Sequence, residues 1–207
     1  MSPNRPTIAA AFSCLFLSLA CSSTSRDVRD DGPESDWIQP TPLLAQQIED
    51  EATRLPFSHG FERLEQIRWF ASIGEPAYPT LLRLSADPRD DVAAAALASL
   101  GATLDSRLVP HIQAVPWSEE REHSDLGLER ARTLVRLGDW SQLPLLIQGL
   151  RDERLFTRSL CVDALREATK ETQGYDPRAE VSEREKGVVR WEQWWLQRGG
   201  EGILPAR

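Results

Sequence analysis

The chain has 207 residues, 41% of them hydrophobic and 27% charged, and a formal net charge of -8. That composition fits one domain or a short array with a real core. No basic stripe of useful length is present, which argues against a nucleic-acid binder.

At the N-terminus, Arg5 supplies a thin positive region, and Ile8 to Ala20 form an apolar run of thirteen residues. The run is short for a transmembrane helix but suits the core of a secretory signal. Cys21 follows, and then Ser22, Ser23, Thr24 and Ser25. The segment resembles a bacterial lipoprotein signal. That resemblance implies loss of residues 1–20, lipid on Cys21, and a place in the bacterial cell envelope facing the periplasm or exterior. An ordinary secretory signal containing a cysteine, an uncleaved anchor and a cytosolic start are the alternatives. Two or more acyl chains, at about 0.8 kcal/mol per buried methylene, hold a protein stably on a membrane. Residues 21–40 then read as the lipidated cysteine and a flexible tether rich in Ser, Asp, Arg and Pro. With Cys14 removed, Cys161 is the one free cysteine of the mature chain, and its apolar neighbours suit a small buried residue.

From residue 41 onward the strongest signal is a repeat. Pro42, Pro79, Pro110 and Pro144 recur with gaps of 37, 31 and 34 residues. Two positions after each stands an aliphatic residue: Leu44, Leu81, Ile112 and Leu146. One helix further on, three columns match. They are Ile67, Ala94, Ala131 and Ser159; Phe70, Leu97, Leu134 and Val162; and Ile73, Leu100, Leu137 and Leu165. Spacing by three puts each set on one helix face. The pattern predicts helices over 42–54, 58–74, 77–86, 89–101, 107–114, 119–138, 141–150, 154–171 and 183–198, with no strand. Thr41 suits an N-cap. The prolines suit first helical turns. Gly74, Gly101 and Gly138 suit the left-handed residue that ends a helix.

Two stretches carry a family likeness: Asp87-Pro88-Arg89-Asp90-Asp91-Val92 through Gly101, and Leu146-Ile147 through Asp152 with Arg158-Ser159-Leu160 and Ala164-Leu165. Over about residues 42–170 the chain resembles the HEAT-like repeat family, in the short form also found in phycobilisome-lyase-type proteins. The resemblance implies an all-α fold, a short α-solenoid of about four HEAT-like helix pairs over 41–172. The arginine of the family's second helix stands at Arg158, but Ala93 occupies its place in the earlier copy. That departure implies weak polar ladders between repeats. Two copies are stretched: Pro110 to Gly138 spans 28 residues and Pro42 to Gly74 spans 32, against 22 from Pro79 to Gly101. In the former the excess falls at Ser118 to Asp125, as an insertion on one face or a longer solvated helix.

Residues 173–198 form a turn and a capping helix, and 199–207 a tail. Gly174-Tyr175-Asp176-Pro177 is a turn signal, and Ser182 with Glu185 fits a capping box. Val188, Trp191, Trp194, Trp195 and Arg198 follow at helical spacing. The segment resembles the close of many bacterial secreted HEAT-repeat proteins. A Trp-rich helix that seals the last repeat is the expected role, and an aromatic platform for sugar or peptide is the alternative.

Catalytic chemistry is not visible. His59, His111 and His123 show no metal spacing, no glycine-rich phosphate loop exists, and the acid pairs read as solvated faces. No cofactor, metal or enzymatic activity is expected. The expected function is an envelope-anchored scaffold that binds a protein partner through the solenoid surface. Candidate contacts are Arg89, Arg130, Arg136 and Arg158, with Glu119, Glu120 and Glu122 as an acidic patch. A lyase-like or accessory small-molecule-binding protein, and a structural envelope lipoprotein without a specific ligand, are the other readings.

Overall fold

The computed structural model describes residues 36–200, which are all-helical, with ten α-helices and no strand among them. The apolar N-terminal run and Cys21 lie outside the described residues.

Helix α1 (Pro42–Arg54) starts as its sequence dictates. The Thr41 hydroxyl accepts the Leu44 N–H at 3.3 Å, and Pro42 fills the first helical position. A 3-10 turn over Leu55–Phe57 leads to α2 (Gly60–Ile73), which stops at Gly74 with a positive φ of 70°. Then come α3 (Tyr78–Ser85) and α4 (Asp90–Ala102), followed by α5 (Leu108–Ala114), α6 (Glu119–Glu122) and α7 (Asp125–Arg136). The last three are α8 (Leu143–Gly149), α9 (Leu155–Thr169) and α10 (Val181–Gln197).

Four sequence expectations need correction. The helix expected over 119–138 is two. The Ser124 hydroxyl accepts the N–H groups of Leu126 and Gly127 and starts α7 afresh. This corner requires glycine, since a Cβ on Gly127 would sit 2.2 Å from the Glu122 carbonyl oxygen. Second, Gly101 does not end α4. It lies inside the helix and lets α7 approach, with Thr133 Oγ1 only 3.3 Å from where a Cβ would be. Thr133 uses that proximity to donate to the Leu97 carbonyl at 3.0 Å. Third, the Ser182–Glu185 capping box does not form. Here α10 begins at Val181 without a side-chain cap, and Glu185 pairs with Arg151 instead. Fourth, the tether expected to run to residue 40 is fastened earlier, because Trp37 is only 8% exposed.

Packing follows chain order. Helix α1 lies on α3, α2 on α4, α4 on α7, α7 on both α8 and α9, and α10 on α8. Of the aligned columns, Phe70, Leu97, Leu134 and Val162 are buried, as are Leu100, Leu137 and Leu165. They divide between two apolar clusters. One gathers α1 to α5, and the other gathers α8 to α10. Helix α7 serves both: Leu126 and Leu134, with Leu137 at its C-cap, belong to the first, Ala131 and Val135 to the second. Trp191 and Trp194 complete the second cluster at a ring separation of 5.5 Å, edge to face.

Candidate functional site

Five short loops share one device that the repeat pattern did not reveal. Asp87, Asp105, Asp139, Asp152 and Asp176 each accept the backbone N–H two residues on, at 2.8–3.1 Å. These are aspartate turns, in which a short carboxylate imitates a backbone turn. In three of them the second residue is an arginine whose guanidinium returns to the same carboxylate: Arg89, Arg107 and Arg154. The arginine hydrogen bond holds the carboxyls of Asp87, Asp105 and Asp152 below the usual carboxylate range. The motif Asp-x-Arg was readable at 87–89, 105–107, 152–154 and 176–178.

Neighbouring helix pairs are joined by ion pairs along these loops. Arg63 meets Asp91 at 2.8 Å, Arg121 meets Asp90 at 3.1 Å, and Arg154 meets Asp125 at 2.7 Å. Arg151 reaches Glu185 and Glu192 of α10 at 2.5 and 2.7 Å. Polar links between pairs are therefore present, contrary to the weak ladders inferred from Ala93. Different residues carry them.

The candidate contact residues do not form one patch. Arg89 lies at the α3–α4 turn, chelated by Asp87. Arg130 lies against Trp117, 4.8 Å from the ring centroid, and faces Glu122 at 3.7 Å. Arg121, on the other hand, donates to the Asp87 carbonyl at 2.6 Å, so the insert is docked onto the α3–α4 turn. Glu119 and Glu120 remain exposed on α6, and the Glu119 carbonyl meets His123 Nδ1 at 2.9 Å. Arg136 sits two turns beyond Arg130 and pairs with Glu167 of α9 at 3.0 Å. Arg158 must be reassigned. It is 7% exposed, and its guanidinium donates to the carbonyls of Asp152, Glu153 and Pro177, so it is a structural brace and not a surface contact.

The open surface is elsewhere. Helices α2, α4, α7 and α9 pack side by side in that order. Phe61 on α2 and Phe156 on α9 are each 74% exposed, and Phe57 beside α2 is 77% exposed. A groove of about 260 Å³ between α7 and α9 is lined by Arg132, Phe156, Ser159, Leu160, Asp163 and Glu167. A larger groove of about 660 Å³ between α1 and α2 is mostly polar, with Asp50, Glu51, Arg54 and Trp69 in its wall. Beneath α7, Glu129 is buried beside Arg132 at 3.2 Å, and loss of solvent pushes its carboxyl above the usual range. Sequence reasoning missed Phe57, Phe61 and Phe156 as surface residues, because an aromatic at helical spacing reads as core.

Comparison of the chain with family models, with curated proteins and with solved structures returns no match. The HEAT-like likeness rests on the quoted residues alone. Among the described residues no group of His, Cys, Asp and Glu is arranged to hold a metal ion. Cys161 is fully buried, and desolvation pushes its thiol up to about 12, away from thiolate chemistry. No helix among the described residues is long and apolar enough to cross a membrane.

Proposed function

We propose that the chain is a protein-interaction scaffold: a short HEAT-like α-solenoid, closed at one end by α10 and held in the bacterial envelope by lipid on Cys21. The observation that supports this reading is the row of adjacent helices α2, α4, α7 and α9, whose first member carries exposed Phe61 and Leu64 and whose last carries exposed Leu155 and Phe156. The ion pairs between helix pairs favour a preformed surface, which lowers the ordering cost of binding. The exposed carboxylates of Glu119 and Glu120 add an acidic margin on α6.

The test combines address and contact. Proximity labelling in the native host compares wild type, Cys21→Ser and a Phe61→Ser/Phe156→Ser double variant. Acyl label and membrane association are expected to vanish only in Cys21→Ser. The double variant is expected to keep its membrane address and lose its labelled neighbours. An unchanged set of neighbours in the double variant rejects this row of helices as the contact surface.

A further inference from the structure

The residues just before α1 are not helical, yet they make a dense set of specific contacts. The Trp37 ring lies edge to face on Tyr78 at 5.0 Å and tilts against His111 at 4.8 Å. The Arg107 guanidinium stands over it at 5.4 Å. On one side of Trp37, the Asp36 carboxylate faces His111 Nε2 at 3.7 Å. On the other side, the Ile38 N–H donates to Glu75 Oε2 at 3.2 Å.

Three wall residues of the cleft are tied to one another and not only to the segment. Tyr78 belongs to α3, and its hydroxyl donates to Asp105 at 3.3 Å. Arg107 is locked between Asp105 and Glu75, and His111 belongs to α5. Behind them stand the buried Leu108 and Ile112. The arginine lowers the Glu75 pKa, so this acceptor is charged and ready for a backbone N–H. An aromatic wall, a cation, a charged acceptor and a histidine converge on one bent tripeptide. That is how a peptide-binding site is built.

We propose that the Tyr78–Arg107–His111–Glu75 cleft is a recognition site for a short segment with an acidic residue, a tryptophan and an aliphatic residue in succession. In this chain Asp36–Ile38 fills the site from within, as an exchangeable strap. A segment of the same chemistry on another molecule competes for it. The strap is short and only the Trp37 ring is buried, with Asp36 and Ile38 exposed on either side, so releasing one ring opens it without unfolding the helices. Tethering gives it an effective concentration on the order of millimolar, which is what a competitor must overcome.

The test uses the full chain with Trp37→Ala, which empties the aromatic part of the cleft, and the peptide Ac-Asp-Trp-Ile-Gln-Pro-NH2 as probe. Far-UV circular dichroism checks that the helices persist. The peptide is expected to bind the variant with a Kd of about 0.1–1 mM, to shift the His111 resonances, and to raise the thermal midpoint. Wild type is expected to bind it about two- to tenfold more weakly, the ratio that a millimolar effective concentration sets against that Kd. A peptide with Ala in place of Trp is expected not to bind. Adding Arg107→Ala is expected to weaken binding about tenfold. Absence of binding to a folded Trp37→Ala chain at several millimolar overturns the proposal, and so does equal binding of the Ala peptide. Hydrogen exchange on wild type decides the matter if the variant fails to fold. The Ile38 amide is expected to exchange well before the buried amides of α4. Exchange of both only through global unfolding overturns the strap.

Discussion

The start of α2 and helix α10 lie near the first and last ends of the packing order, and the aromatic residues of these two stretches meet opposite fates. At the last, Trp191 is fully buried, Trp194 nearly so, and Arg151 fastens α10 through two carboxylates. At the first, Phe57 and Phe61 are among the most exposed apolar side chains of the described residues. The same chemistry, large rings at helical spacing, ends in a core at one place and in solvent at the other. What differs is a covering element. Helix α10 lies across α8, and nothing among the described residues lies across the outer side of α2. Side-chain hydrophobicity states a demand for burial, and topology decides whether it is met.

The sharpest way to break this contrast is Trp191→Ala. It removes the largest fully buried ring and is expected to cost about 3–5 kcal/mol, measured by urea unfolding. Next is Gly127→Ala, which forces the α6–α7 corner apart. A loss of about 2 kcal/mol is expected, with the first cluster weakened more than the second. Arg151→Ala releases α10 from α8 but leaves Glu185 and Glu192 partly hydrated, so about 1 kcal/mol is expected. Acid titration follows. Asp87, Asp105, Asp152 and Glu75 are depressed by their arginines. A depressed carboxyl adds stability above its unfolded pKa, near 4, and loses it as pH falls through the folded value. These four carboxyls are therefore expected to make the unfolding free energy decline from about pH 5 downward. Burial raises Glu129, so its own contribution has the opposite sign and Glu129→Gln is expected to raise the midpoint slightly at pH 7. At the far end of the scale, Phe61→Ser is expected to change stability by less than about 0.5 kcal/mol. A loss comparable to that of Trp191→Ala would show that Phe61 is core and would erase the contrast.

Much of the helical frame was legible. Proline at helix starts and aliphatic residues at period three located nine segments, because those choices answer to local backbone chemistry and to one buried face. Thr41 was found for the same reason. The errors have physical causes. Gly101 reads as a helix stop, but a neighbouring helix needed its missing side chain. The break at Ser124 was hidden because a serine hydroxyl competes with the helix only once a partner carbonyl is near, here that of Arg121 at 2.7 Å. Trp37 stands in a polar stretch, and only the distant Tyr78, Arg107 and His111 make it an anchor. Of the candidate site, Arg158 was misassigned because its three acceptors are backbone carbonyls, which carry no sequence signature.

Helix α7 has one remaining consequence. Its two faces serve different clusters, so neither cluster is complete without it. A denaturant that loosens either half must also unseat this helix, which withdraws support from the other. Thermodynamically the halves are coupled through twelve residues. Folding should therefore register as a single cooperative step, with the slowest amide exchange concentrated in that segment.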